Sequence, residues 1–267
     1  MAQTFLQIDA FTDRPFAGNP AAVFILETAK DDAWCQAVAR EMALSETAFL
    51  VPEGEGHRLR WFTPEAEVDL CGHATLASAH ALFESGAAPP DGILRFRTRS
   101  GELRARRLED WIELDFPSTP PEACPLPEGL SAALGLEPSW TGKTPFDFFV
   151  EAASAAEVLA LKPDFGRIKA LTGRGVIVTA ASEDDAWDFI SRFIAPAVGI
   201  DEDPVTGSAH CALGPFWKMK TGRSAFAAHQ ASARGGDLRV RVAGERCFLL
   251  GQAVTVFEGA LRPAARE

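Results

Sequence analysis

The hydrophobic positions of the chain follow an alternating period in some stretches and a helical period in others, which predicts a protein of both strands and helices. The predicted strands of the first half are 4–11, the apolar run after Gly18-Asn19-Pro20, 46–51 and 59–62. The predicted helices of this half are 31–42, which begins with acidic residues, and 73–85, which is rich in alanine. Two alternating runs within 93–108 predict a hairpin, and their arginines indicate a solvated face rather than an anion-binding patch.

The second half of the chain opens with many prolines and then returns to the same mixture of patterns. Residues 117–145 are so rich in proline that they predict a linker. The patterns beyond it predict strands at 146–152, 175–181 and within 237–261, and helices at 154–163 and 208–220. Pro215 lies inside the last of these helices, and because proline lacks a backbone N–H it predicts a kink or a late start there.

Residues 60–69 and 192–201 share a pattern that indicates an internal duplication. Both segments begin with arginine and an aromatic residue, carry proline at the fifth place, and end with a β-branched residue and aspartate. The second copy then has an insertion of three residues, after which 72–74 matches 207–209. Each copy continues into a predicted helix rich in alanine. The sequence therefore predicts two similar domains. Their predicted extents are 1–117 and 118–267, with the last strand returning to the first domain.

The matched segments bring small and polar residues to two helix starts. The first amides of a helix have no partner within the helix, and the helix dipole favours negative charge there. Gly72 and Gly207 would let a ligand approach the backbone closely. Two such starts that face one another across a cleft would bind a carboxylate. The alternative is that His73 and Ser208 belong to ordinary helix caps, since serine is a favoured cap residue.

Composition narrows the class of protein. The chain has 267 residues with a formal net charge of −11, so it is a poor counterion for nucleic acid or for an anionic membrane. The five cysteines form no CxxC pair, which fits a reducing cytoplasm. The first residues lack the pattern of a signal peptide, and no apolar stretch approaches the length of a membrane span. We therefore expect a cytoplasmic protein that binds neither nucleic acid nor membrane.

A metal site is considered at Asp69, Cys71 and His73, which stand close together in the sequence. No HxxxH or HxE pattern accompanies them, and no second cysteine is near. We therefore expect no metal and no cofactor. His80 and His210 fall on predicted helices, where packing is a more common role for histidine than catalysis.

Four segments resemble the PhzF-like proteins of phenazine biosynthesis. They are FAGNPAAV (16–23), SETAFL (45–50), RWFTPEAEVDLCGHATLASAHAL (60–82) and GIDEDPVTGSAHCALGPFW (199–217). The resemblance implies an α+β fold of diaminopimelate epimerase type. In that fold two similar domains each wrap a curved, mostly antiparallel sheet around a central helix. It also implies an active site at the domain interface and a homodimer.

The same resemblance implies roles for particular residues. The glutamate of the SETxF motif, here Glu46, is the general acid/base that moves a proton on carbon. His73, Asp203 and Ser208 match the residues that line the substrate in the family, and we count them with the catalytic set. We expect Gly72 and Gly207 to bind substrate through their amides, and Asn19 to bind it from the rim of the site, beside Pro20.

Cys71 precedes the glycine of the GHAT motif, where diaminopimelate epimerases carry one of two catalytic thiols. The repeat places Thr206 at the matching position of the second copy, so a mechanism with two thiols is disfavoured. A pocket-lining role is favoured for Cys71, because a thiol needs help to ionise near neutral pH.

The leading hypothesis is a cofactor-independent isomerase that moves a proton on carbon of a small carboxylated metabolite. One alternative is an epimerase or racemase that uses Glu46 with Cys71 or Asp203. The other is a protein that binds a small anion without turnover.

Overall fold

The computed structural model describes residues 3–89 and 91–262, which divide into two compact units. The first unit runs to Asp115 and resumes at Leu250, and the second unit comprises Phe116–Leu249. None of the helices in the described part of the chain combines the length and the apolar character that crossing a bilayer requires.

The first unit contains nine strands and two helices among its described residues. The strands are β1 (Gln3–Ala10), β2 (Asn19–Ile25), β3 (Glu46–Glu53), β4 (Gly56–Phe62), β5 (Glu67–Val68), β6 (Ile93–Thr98), β7 (Gly101–Leu108), β8 (Trp111–Pro117, which begins here) and β18 (Ala253–Leu261). The helices are α1 (Asp32–Met42) and α2 (Gly72–Glu84).

The strands of the second unit are β9 (Glu122–Ala123), β10 (Trp140–Lys143), β11 (Asp147–Glu151), β12 (Gly175–Ala181), β13 (Phe189–Ala195), β14 (Ile200–Asp203), β15 (Ala225–Gln230), β16 (Gly236–Ala243) and β17 (Arg246–Gly251). Its helices are α3 (Leu130–Leu134), α4 (Ala155–Ala160), α5 (Phe165–Leu171) and α6 (Gly207–Thr221).

The two units repeat the same strand pairings. In the first unit β1–β2 is antiparallel, β2–β3 parallel, β3–β4 and β4–β5 antiparallel, β4–β6 parallel and β6–β7 antiparallel. In the second unit the series from β10 to β16 has the same directions in the same order. Helix α2 follows β5, and helix α6 follows β14, so the two Ala-rich helices occupy equivalent places in the chain order.

A buried ion pair recurs at the equivalent place in each unit. Arg60 on β4 makes a two-pronged contact with Glu67 on β5, and Arg192 on β13 makes the same contact with Glu202 on β14. The two arginines are the residues that open the repeated sequence pattern, so the duplication extends from sequence to side-chain contacts.

Helix α2 is the central element of the first unit because almost every face of it is buried. Its small alanine, serine and threonine side chains let β1, β2, β3 and β18 pack close around it. Helix α1 packs on β3 and β4 through an aromatic cluster, and Asp31 caps its start by accepting the Trp34 N–H at 2.7 Å.

The prediction of a linker over 117–145 is wrong for most of that segment. Leu130, Leu134 and Leu136 are buried in the core of the second unit, and Trp140 packs against Phe149 and Phe216. Prolines interrupt regular elements, but they do not prevent the apolar residues between them from being buried.

Pro215 lies inside α6, and the helix begins at Gly207, so the predicted late start is not found. Proline cannot donate to the carbonyl of Cys211, four residues earlier. The backbone N–H of Thr119 donates to that carbonyl instead, at 3.0 Å. The hydrogen bond to Cys211 that proline removes from the helix is thus replaced by one from Thr119, in an earlier segment of the same chain.

We expect Gly18→Ala to destabilise the protein strongly. Gly18 has a left-handed φ of +64°, and a Cβ there would lie 2.2 Å from the carbonyl oxygen of Ala10. Gly86→Ala is a matched control, since Gly86 has a φ of +70° but nothing within 4 Å of the added carbon. Because both variants carry the backbone strain, their difference isolates the clash, which costs about 1–3 kcal/mol. Equal urea midpoints for the two variants would contradict this expectation.

Candidate active site

Three reactive side chains meet at the start of α2 in the first unit. Glu46 is the first residue of β3, Cys71 is the N-cap of α2, and His73 is the second residue of that helix. The Glu46 Oε2 atom lies 3.2 Å from His73 Nε2. The Cys71 sulfur lies 3.6 Å from His73 Nδ1 and 4.0 Å from Nε2. Histidine therefore stands at the centre of the cluster and contacts both other groups.

The imidazole of His73 is neutral at ordinary pH. Its side chain is almost fully buried, and burial lowers its pKa to about 3 because the charged form is poorly solvated there. Its Nδ1 atom lies 3.0 Å from the amide nitrogen of Asn19. Glu46 is partly open, with a side chain 15% exposed. The Oε2 atom of Glu46 is buried against the ring, but Glu46 is the member of the pair with more exposed side-chain surface.

The expectation that Asn19 stands at the rim of the site is wrong. Asn19 is completely buried, because it begins β2 and directs its amide at the His73 ring. The turn before it is held by Asp9, whose Oδ2 accepts the Phe16 N–H at 2.7 Å. The GNP sequence therefore delivers a buried contact to the histidine rather than an exposed amide.

The register of the sheet explains why Glu46 reaches α2. Strands β2 and β3 run parallel with Ala21 opposite Glu46, and α2 packs against both strands. The N-cap residue Cys71 makes no side-chain cap, and Thr75 donates its hydroxyl back to the Cys71 carbonyl. The start of α2 therefore presents its first amides without a side-chain cap, beside the carboxylate of Glu46.

The ligating atoms of Glu46, Cys71 and His73 all lie within 4.8 Å of one another, so this set could hold a metal ion. Asp69, which the sequence suggested instead, is exposed and lies 3.9 Å from Arg99. Both ring nitrogens of His73 already contact protein groups, Asn19 and Glu46. A metal ion at Nε2 would share that nitrogen with the Glu46 carboxylate, while Asn19 stays at Nδ1.

The start of α6 in the second unit is built from a loop that a buried glutamine holds. Gln230 accepts the Thr206 N–H at 2.8 Å and donates to the Asp203 carbonyl at 2.7 Å. The Asp203 carboxylate accepts the Thr206 hydroxyl at 2.5 Å. Thr206, not Ser208, is the N-cap, and its side chain does not cap the helix. The first amides of α6 therefore lack a side-chain cap, as those of α2 do.

Ser208 contacts a buried ion pair. Arg174 makes two bonds to the Asp147 carboxylate, at 2.7 and 2.6 Å, and its Nη2 atom also donates to the Ser208 oxygen at 3.0 Å. Burial raises the pKa of Asp147, while the adjacent guanidinium opposes that rise. Among the residues that the structure describes, Nη1 of Arg174 has no hydrogen-bond partner. Since Ser208 accepts from Arg174, its own hydroxyl proton is available to a ligand.

Sequence reasoning missed Arg174, Asp147 and Gln230. The internal repeat could have indicated Arg174, because it relates the strand start beside Arg174 to the strand start at Glu46. Thr47 pairs with Phe62, and Val176 pairs with Ile194, which is the repeat equivalent of Phe62. Gly175 is therefore the equivalent of Glu46, and Arg174 precedes it.

The position of Gly175 has no room for a side chain. A Cβ there would lie 2.8 Å from the Ile194 carbonyl and from the Phe193 ring. The second unit thus carries a guanidinium beside the place where the first unit carries its carboxylate.

His210 has a structural role, in line with the packing role that its helix position predicts. It is fully buried, and its Nδ1 bonds the Thr206 carbonyl at 2.8 Å. Burial lowers its pKa to about 4. Thr75 makes the same contact to the Cys71 carbonyl at the equivalent position of α2.

The fold is shared with distantly related enzymes of known structure. A probable proline racemase of Agrobacterium radiobacter K84 has a TM-score of 0.65 at 13% identity, over 99% of this chain and 93% of that one. The chain therefore has the α+β fold of the diaminopimelate epimerase-like enzymes, as the resemblance implied.

The family model for phenazine biosynthesis-like proteins (PhzC-PhzF) matches residues 8–259, so the chain belongs to that family. An uncharacterized isomerase of Halalkalibacterium halodurans is 51% identical over 255 residues, which cover 95% of this chain and 96% of the relative. The crystal structure of a PhzF family protein of Enterococcus faecalis has a TM-score of 0.94 at 41% identity, over 98% of this chain and all of that one. The protein is an isomerase of this family.

Proposed function

We propose that the protein moves a proton on carbon of a small carboxylated metabolite, without a cofactor, and that Glu46 is its general acid/base. The observation that carries this proposal is the Glu46 side chain, which is 15% exposed and whose Oε2 atom lies 3.2 Å from a neutral, buried histidine. A positioned carboxylate that contacts a hydrogen-bond donor is the arrangement that proton abstraction next to a carboxyl group requires.

The reaction divides into two proton transfers. Glu46 takes a proton from a carbon next to an electron-withdrawing group, and the electron pair of the broken C–H bond moves into that group. Negative charge then develops on oxygen, where the uncapped amides of Gly72 and His73 and the positive end of α2 would stabilise it. Glu46, now protonated, returns the proton to a different carbon, and the isomer leaves.

We assign Gly207 and Ser208 to substrate binding rather than to proton transfer. Ser208 accepts a bond from a permanently charged guanidinium, so it is a poor base and a good donor. Arg174 adds its Nη1 edge to the same donor set, since that atom donates to no group within 3–89 and 91–262. This set of donors favours an anionic group on the substrate. Asp203, bonded to Thr206, is assigned to holding the helix start in shape.

An epimerase that uses Glu46 with Cys71 is the second candidate, because both groups contact the same imidazole. Two bases on opposite faces of one carbon, each about 3 Å from it, stand about 6 Å apart. The ligating atoms of Glu46 and Cys71 lie within 4.8 Å of each other. That spacing favours one base acting on one face of the substrate.

Solvent deuterium incorporation tests the proposed function. The protein is incubated in deuterated water with a panel of cyclic carboxylic acids and amino acids, with and without EDTA, and carbon-bound deuterium is measured by NMR. Exchange that survives EDTA supports the proposal. Binding of panel members without exchange into any of them would favour a small-anion-binding protein, and exchange lost with EDTA would favour a metal site at Glu46, Cys71 and His73.

A further inference from the structure

The contact between Asn19 and His73 carries information about where the imidazole proton resides. Asn19 has no exposed surface, and its Nδ2 atom lies 3.0 Å from His73 Nδ1. On the other side of the ring, Nε2 lies 3.2 Å from the Glu46 carboxylate. The Cys71 sulfur lies farther from both ring nitrogens, at 3.6 and 4.0 Å, so the nearest partner of each nitrogen is Asn19 or Glu46.

A neutral imidazole has one N–H and one acceptor nitrogen, so its two partners must differ in kind. The amide nitrogen of asparagine can only donate, and the ring nitrogen that it contacts must therefore accept. The single proton then lies on Nε2, the ring nitrogen that is 3.2 Å from Glu46 Oε2. The opposite tautomer would require a carbonyl oxygen at Nδ1 and a protonated Glu46 at Nε2.

We propose that Asn19 is a positioning residue that holds His73 in the Nε2–H tautomer, so that His73 presents an N–H toward Glu46 and is not a proton relay. The catalytic part of this proposal, that His73 does not relay the proton, rests on the proposed function of Glu46. A histidine that already carries a proton on Nε2 cannot accept the one that Glu46 takes from the substrate. The abstracted proton therefore resides on Glu46, from which it is returned to carbon or exchanged with solvent, and it does not pass to His73.

The surrounding backbone explains why the amide keeps its orientation. Asn19 is the first residue of β2, directly after Gly18, whose close approach to the Ala10 carbonyl allows no side chain. Its neighbour Pro20 pairs with Asp9 of β1. A side chain that is buried at the end of such a turn has little freedom to rotate, and it lacks water as an alternative partner.

The sequence makes a direct measurement practical. Asn19 is the only asparagine of the chain, and there are five histidines. Selective ¹⁵N labelling of asparagine therefore gives a single side-chain amide signal. Labelling of histidine gives five rings, among which the His73→Asn variant identifies the ring of His73. The ¹⁵N shifts distinguish a protonated from an unprotonated ring nitrogen.

In the wild-type protein near pH 7, we expect His73 to show a protonated Nε2 and an unprotonated Nδ1, with a coupling across the bond to the Asn19 amide. We expect Asn19→Asp to move the proton to Nδ1 or to protonate both nitrogens, since aspartate can only accept. A wild-type His73 with its proton on Nδ1 would overturn the proposal, and so would an unchanged tautomer in Asn19→Asp.

The wild-type spectrum decides the matter even if Asn19→Asp does not fold. It needs no substrate, so its outcome is separate from the exchange assay that tests the proposed function. Once a substrate is known, transfer of deuterium from substrate carbon to product carbon in ordinary water tests the consequence. Some retained label is expected beside the exchange with solvent that the partly exposed Glu46 side chain allows, and complete loss of label would count against a proton held on Glu46.

Discussion

Glu46→Gln is expected to lower turnover by at least ~10²-fold, because a general acid/base contributes about that much or more. Glutamine keeps the shape of the side chain but removes the group that takes the proton. Substrate affinity is expected to change little, since the lost interaction acts mainly in the transition state. The measurement is the rate of solvent deuterium incorporation at substrate carbon, together with the dissociation constant of the same compound.

Two further variants make this result specific. Glu53→Gln is the matched control, because Glu53 ends the same strand and is exposed near Arg97, 3.7 Å away. Its exchange rate is expected to equal that of the wild type. The exchange rate of Cys71→Ala is expected to fall much less than that of Glu46→Gln. Exchange that survives Glu46→Gln but disappears in Cys71→Ala would replace the carboxylate mechanism with a thiol mechanism.

Arg174→Met is expected to destabilise the second unit by about 3–5 kcal/mol, the usual result of removing one partner of a buried ion pair. Asp147 has a side chain that is only 2% exposed, and Arg174 supplies both of its side-chain bonds. Without the guanidinium the carboxylate would be buried without a counterion. The measurement is the free energy of unfolding from urea titration, followed by tryptophan fluorescence.

The pH dependence of this loss has a definite sign. The pKa of Asp147 is already raised in the folded protein, and loss of Arg174 raises it further. A carboxyl with a raised folded pKa favours folding when protonated, so this contribution is lost as pH rises through that pKa. The deficit of Arg174→Met is therefore expected to be largest near neutral pH and to shrink as the solution is acidified.

A double variant and a surface control complete the experiment. Arg174→Met combined with Asp147→Asn is expected to recover most of the lost stability, because it removes the buried charge as well. Arg95→Met disrupts an exposed pair with Glu102 and is expected to change stability little. A double variant as unstable as the single one would mean that the packing of Arg174 against the Phe146 and Phe193 rings, not the ion pair, stabilises this region.

Much of the local structure is determined by the sequence itself. The alternating and helical periods predict β1, α1, β3 and the hairpin of β6 and β7 within a few residues of their observed bounds. They do so because each pattern depends only on neighbours along one element. The fold class and the family are likewise recognised from short motifs, which depend only on neighbouring residues. Glu46 and His73 are identified in this way, by the residues next to them in the sequence.

The prediction over 117–145 failed for a physical reason that no local pattern contains. The prolines of that segment indicate interruptions, which is correct, but burial of Leu130 and Leu134 depends on what packs over them. The rim position of Asn19 failed in the same way. A turn sequence specifies a bend in the backbone, and only the packing of β2 beside α2 decides that the amide points inward.

The contacts of the candidate site were decided by the tertiary structure alone. Glu46 and His73 are 27 residues apart, and so are Asp147 and Arg174, whereas Arg174 and Ser208 are 34 apart. The sequence determined which groups are available for proton transfer and anion binding. Strand register and helix packing decided which of them touch, because only the sheet brings distant positions within hydrogen-bond distance and removes the water that would otherwise separate them.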